Sequence, residues 1–108
     1  MIKILAKRIL FYSLKGSDIR NKFIIRIGSP YIVDEDMVDF PIGEGLVGCR
    51  IETEGLEKEF HHEVYGVDEI QAINIASNIE PFLQRLQKKY DLYWPSGDPY
   101  FENPADKS

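Results

Sequence analysis

Gly66-Val67-Asp68-Glu69-Ile70-Gln71-Ala72-Ile73-Asn74-Ile75-Ala76-Ser77-Asn78-Ile79-Glu80-Pro81-Phe82-Leu83-Gln84-Arg85-Leu86 is the stretch on which the fold turns. Before Gly66 apolar residues recur at every second position, the period of a strand with one covered face. After it they recur every three or four. Placed at 100° intervals, Ala72, Ile75, Ala76, Ile79, Phe82, Leu83, Leu86 and Tyr90 fall within one arc of about 120°. Asp68 stands where an N-cap carboxylate accepts the amide of Gln71, and Gln71 can reach back. Glu69 in the first turn suits the positive end of the helix dipole. Pro81 inside the pattern removes the bond to the Ser77 carbonyl and is expected to kink the helix or split it. Ile70 and Ile73 fall off the arc and need a second cover, for which Leu92-Tyr93-Trp94 is the nearest candidate.

Upstream, residues 2–14 read as a long strand, apolar on both faces between Ile9 and Tyr12, as suits a central strand or one covered on both sides. Residues 21–28 alternate, with Phe23, Ile25 and Ile27 on one face, and Gly28-Ser29-Pro30 ends the run. Residues 31–45, with Asp34-Glu35-Asp36, Asp39, Pro41, Gly43 and Gly45, read as a long loop in which Tyr31-Ile32-Val33 and Met37-Val38 either add short strand pieces or anchor the loop to the core. Residues 46–54 place Val47, Cys49 and Ile51 on one face. After the Glu54-Gly55 turn, residues 57–65 place Phe60, His62 and Val64 on one face and Glu59, His61, Glu63 and Tyr65 on the other. Downstream, Pro95, Gly97 and Pro99 forbid a continuous helix through Tyr93-Trp94 and Tyr100-Phe101, leaving an extended aromatic segment. The expected fold is α+β: a four-stranded antiparallel meander covered on one face by one long helix, in the order β-β-β-β-α. Residues 1–102 form one domain and 103–108 a frayed tail.

Tyr65-Gly66-Val67-Asp68-Glu69-Ile70-Gln71-Ala72 resembles a signature of a family of small uncharacterised bacterial domains. In that family Gly-Val-Asp-Ser-Ile/Leu-Gln-Ala opens a long helix after a β-meander. Arg26-Ile27-Gly28-Ser29-Pro30 and Gly48-Cys49-Arg50-Ile51 are also similar to it. Glu69 departs from the family's serine. The resemblance implies the fold and carries over no functional residue.

Composition narrows the functional classes. The chain has 108 residues, 44% hydrophobic and 29% charged, with one cysteine and a net charge of −5. One cysteine excludes a disulfide framework and a multi-thiolate zinc site. Charges at Lys3, Lys7 and Arg8 interrupt any signal-peptide core, so a cytoplasmic location is expected. Adjacent His61 and His62 point to opposite faces of a strand and do not converge on one ion; His62 reads as a core histidine, and no metal or cofactor is expected. Cys49 lies between Val47 and Ile51, a place for a buried thiol rather than a nucleophile.

Charge is segregated along the chain: +6 over residues 1–26, −10 over 27–69 and −1 over 70–108. Two readings follow. Adjacent strands pair opposite charges across the sheet. Alternatively, Asp34, Glu35, Asp36, Asp39, Glu52, Glu54, Glu59 and Glu63 build an acidic surface, which repels nucleic acid and attracts a basic protein. Tyr93 and Trp94 are then candidate contact anchors. The expected function is a non-catalytic protein-binding module, an acidic immunity or inhibitor protein that blocks a basic, toxin-like partner encoded nearby, with no nucleic-acid or membrane role. A self-assembling domain forming a homodimer is the alternative, and a small-ligand carrier a third.

Overall fold

The alternating segments upstream of Gly66 pair into one antiparallel sheet, seen in a computed structural model that describes residues 3–34, 36 and 45–101. The strands are β1 (Ile4–Leu14), β2 (Asn21–Gly28), β3 (Tyr31–Ile32), β4 (Val47–Glu54), β5 (His61–Gly66) and β6 (Tyr90–Tyr93). Two helices, α1 (Glu69–Ser77) and α2 (Glu80–Leu86), lie between β5 and β6. The sheet therefore has six strands, not the four expected from alternation. β3 runs along the same edge of β4 as β2, past the break at Gly28-Ser29-Pro30, and β5 takes the other edge. β6 is the larger correction. The chain turns at residues 87–89 and Tyr90–Tyr93 pairs with β1, Phe11 opposite Tyr93 and Leu14 opposite Tyr90. Tyr90, which fits the helical arc by spacing, is thus a strand residue. At four residues β6 is too short to show alternation against a helix that has just ended.

Register sets the faces, because residues opposite one another in an antiparallel pair share a side. Leu10 with Phe23, Ile27 with Ile51 and Cys49 with Val64 lie on one face. Ile9 with Ile24, Arg26 with Glu52 and Arg50 with Glu63 lie on the other. The first face carries the core: Leu10, Phe23, Ile25, Cys49 and Ile51 are buried beneath Ala72, Ala76, Ile79 and Leu83. Its aromatic members interlock edge to face, Tyr12 at 5.5 Å from Phe23 and 5.0 Å from Tyr90. α1 packs on β4 and β5, and Phe82 of α2 stacks on Phe60 at 4.7 Å. No described helix covers the second face.

The helix start follows its sequence. Asp68 accepts the Gln71 amide at 2.8 Å, and the Gln71 side chain accepts the Val67 amide at 2.7 Å. Pro81 splits rather than bends the helix. α1 ends at Asn78, whose N–H bonds to Ile75 at 3.3 Å. α2 begins at Glu80 with Pro81 in its first turn, where an N–H would have no intrahelical partner. The Ser77 carbonyl that Pro81 cannot bond accepts from Ile79 at 2.9 Å.

Candidate functional site

The acids expected to form a patch on the strands meet arginines instead. Arg26, in the basic first segment, stands opposite Glu52; it bonds Glu52 at 3.2 Å and Glu54 at 2.7 Å. Arg50 pairs with Glu52 at 3.3 Å and Glu63 at 3.7 Å. Tyr31 donates its hydroxyl to Glu63 at 2.5 Å. Its ring lies over Gly48, where a β-carbon would meet it at 2.5 Å. Burial first, then Glu63, push the Tyr31 hydroxyl well above its ordinary range. Glu59 faces inward to its own loop and accepts from the Gly55 and Leu56 amides at 2.9 and 3.1 Å and from Thr53 Oγ1 at 3.0 Å. The strand carboxylates are thus committed to cross-strand pairs or to the loop, which is the pairing reading of the charge segregation.

The aromatic pair is engaged too. Arg20 sits 3.6 Å above the Tyr93 ring. Trp94 packs on Tyr100 at 4.7 Å, with Arg8 5.4 Å from its ring. Arg8 donates to the Tyr100 hydroxyl at 2.7 Å and pairs with Glu80 at 3.3 Å; Tyr100 in turn donates to Glu80 at 2.5 Å. The segment after β6 folds back beside it, Tyr100 N–H bonding the Leu92 carbonyl at 2.8 Å. Leu92 and Tyr93 therefore do not cover Ile70 and Ile73, as the sequence suggested; they extend the sheet. Burial and Glu80 push the Tyr100 hydroxyl up to about 12. Tyr100 and Tyr31 are raised in the fold, so the stability they confer is fully present below about pH 10 and falls as pH rises through the folded values. A phenolate absorbance titration is expected to show both ionising above the ordinary tyrosine range, with stability declining above about pH 10.

What the described residues leave uncovered is the end of the sheet where β3 finishes, β4 begins and β5 passes into α1. Ile32 stands opposite Val47, and Val47 opposite Gly66. Val33 N–H bonds the Leu46 carbonyl at 3.0 Å, holding the chain after β3 against the approach to β4. Here Ile32, Val67 and Ile70 are 75%, 73% and 78% exposed. Asp34 and Asp36 follow β3, and Glu69 begins α1. These three carboxylates are exposed, with no ion-pair or hydrogen-bond partner among the described residues. Of the predicted acids, this end keeps Asp34 and Asp36; Glu35 and Asp39 lie outside the described residues, as do Met37-Val38 and the tail 103–108. Sequence reasoning missed Ile32, Val67 and Glu69. Its one usable signal was Ile70 falling off the apolar arc.

His62 shares the core face with Val64 but is exposed rather than a core histidine, because β5 is an edge strand. No group of three potential metal ligands occurs among the described residues. Cys49 is buried, its thiol donating to the Gly28 carbonyl at 3.1 Å and pushed up by burial. No described helix is long and apolar enough to cross a membrane. No family model, curated protein or solved structure matches this chain.

Proposed function

We propose that this chain is a non-catalytic protein-binding module that engages a basic partner through the open end formed by β3, the start of β4 and the start of α1. The observation that carries this reading is the exposure of Ile32, Val67 and Ile70 beside the carboxylates of Asp34, Asp36 and Glu69, which have no partner among the described residues. Exposed aliphatic side chains supply area to desolvate, and free carboxylates at the rim steer a cationic surface onto it. The nucleic-acid groove of a nuclease is one such surface, and blocking it would make the chain an inhibitor of the immunity type.

The test is affinity capture from the native host with wild type, an Asp34→Lys/Asp36→Lys/Glu69→Lys variant and a Glu52→Gln/Glu54→Gln control, at low and high salt. One stoichiometric basic protein is expected with wild type and control. Reversal of the three free charges should cut its capture by about tenfold or more, as should high salt. Equal capture by the reversal variant, or loss with the Glu52/Glu54 control, would place the interface elsewhere. Recovery of no stoichiometric partner would count against the module reading itself.

A further inference from the structure

Among the described residues, the pairing of β1 leaves part of one edge unused. β2 covers one side of it from Ile4 to Tyr12, but β6 covers the other only from Phe11 to Leu14. Hydrogen-bond direction can be assigned on that second side. Leu92 of β6 turns its carbonyl outward to Tyr100 N–H. Its neighbours Asp91 and Tyr93 therefore direct their backbone groups at β1, to Ser13 and Phe11. By the alternation of a strand, Ile9 and Lys7 aim their N–H and C=O groups the same way, where no described residue receives them. A register shift between Ile4 and Ala6 ends the regular edge.

The surroundings of this edge have a definite chemistry. Lys7 and Ile9 project onto the second face, and Lys7 has no ion-pair partner among the described residues. Lys3 lies just beyond, exposed and equally unpaired. On the core side Trp94 and Arg8 flank the edge where β6 ends, and Trp94 remains 38% exposed. A second copy of the same edge would bring lysines to a common seam, which disfavours self-pairing. A strand carrying carboxylates has no such penalty and gains cross-strand pairing with Lys7.

We propose that the edge of β1 around Lys7 and Ile9 docks an acidic, extended peptide segment of a partner, which adds to the sheet beside β1 and in line with β6. Main-chain hydrogen bonds to Lys7 and Ile9 hold it, and Lys7 selects a carboxylate two residues from the apolar side chain that lies against Ile9. This site does not rest on the basic-partner reading and uses none of its residues.

The probe is the synthetic peptide acetyl-Thr-Val-Thr-Glu-Thr-Glu-amide, with a counterpart in which both glutamates are lysines. Amide hydrogen exchange read by NMR is expected to slow at Lys7 and Ile9 on saturation with the acidic peptide. Arg8 and Leu10, whose amides already face β2, should not change. The lysine peptide should bind about tenfold more weakly, and Lys7→Glu should reverse the preference. Unchanged protection of Arg8 and Leu10 in that variant shows that the sheet is intact. The proposal is overturned by no saturable change up to about millimolar peptide, by equal binding of the two peptides, or by shifts without slowed exchange at Lys7 and Ile9. Concentration-dependent dimerisation that protects the same two amides without peptide would assign the edge to a second copy and overturn it as well.

Discussion

Gly66→Ala is expected to lower stability by about 2–3 kcal/mol, although alanine is the smallest change available. A β-carbon at Gly66 would lie 2.6 Å from the Ala72 amide nitrogen and 3.0 Å from Gln71 Cβ. The nearest atom is backbone, so no rotamer change relieves the clash. β5 and the first turn of α1 would have to separate, and the capping bonds between Asp68, Gln71 and Val67 would be strained with them. Gly16→Ala separates this steric cost from a conformational one. Gly16 has φ +87°, and a β-carbon there would meet nothing within 4 Å, so its replacement should cost only about 1–2 kcal/mol. Urea midpoints of the two variants provide the comparison. An effect at Gly66 no larger than at Gly16 would mean that the strand–helix junction is looser than these distances imply. The same junction presents Val67, Glu69 and Ile70, so Gly66→Ala should also weaken partner binding.

Phe23→Ala is expected to cost about 3–5 kcal/mol, a large part of the ~5–15 kcal/mol that holds a domain of this kind together. Phe23 is fully buried, stands opposite Leu10 and meets the Tyr12 ring edge to face at 5.5 Å. No neighbour can fill the cavity without leaving its place under the helices. Phe11→Ala tests the sidedness of the core. Phe11 lies on the second face opposite Lys22 and Tyr93 and is half-buried. Its loss should cost less than half as much, because the surface it covers is already partly wet. Equal costs at Phe11 and Phe23 would mean that both sheet faces are covered in solution.

The legible parts of the fold were those in which one period ran long enough to be read. Phe23, Ile25 and Ile27 named the core face of β2, and Val47, Cys49 and Ile51 that of β4. Asp68 and Gln71 marked the start of α1 to the residue. The two residues of β3 were legible only as either a strand piece or a loop anchor, and β6 escaped because four residues carry no period of their own. They are strands only because β4 and β1 offer them edges. Ile75 shows the converse: it fits the apolar arc by spacing yet is 44% exposed, because α1 stops two residues later and Asn78 and Ile79 reset the helix phase before α2.

The site divides in the same way. Segregation of basic residues before position 27 and acidic ones after it is a property of the sequence, and so is the choice it poses between cross-strand pairs and an anionic surface. Only the register resolved that choice for Glu52, Glu54 and Glu63, by setting Arg26 opposite Glu52 and Arg50 opposite Glu63. Local chemistry determined the helix cap, the strand faces and the place of the breaks, because each depends on residues a few positions apart. Which charges and which edge of β1 have no partner among the described residues depended on contacts between residues far apart in the chain, which exist only once the sheet has closed.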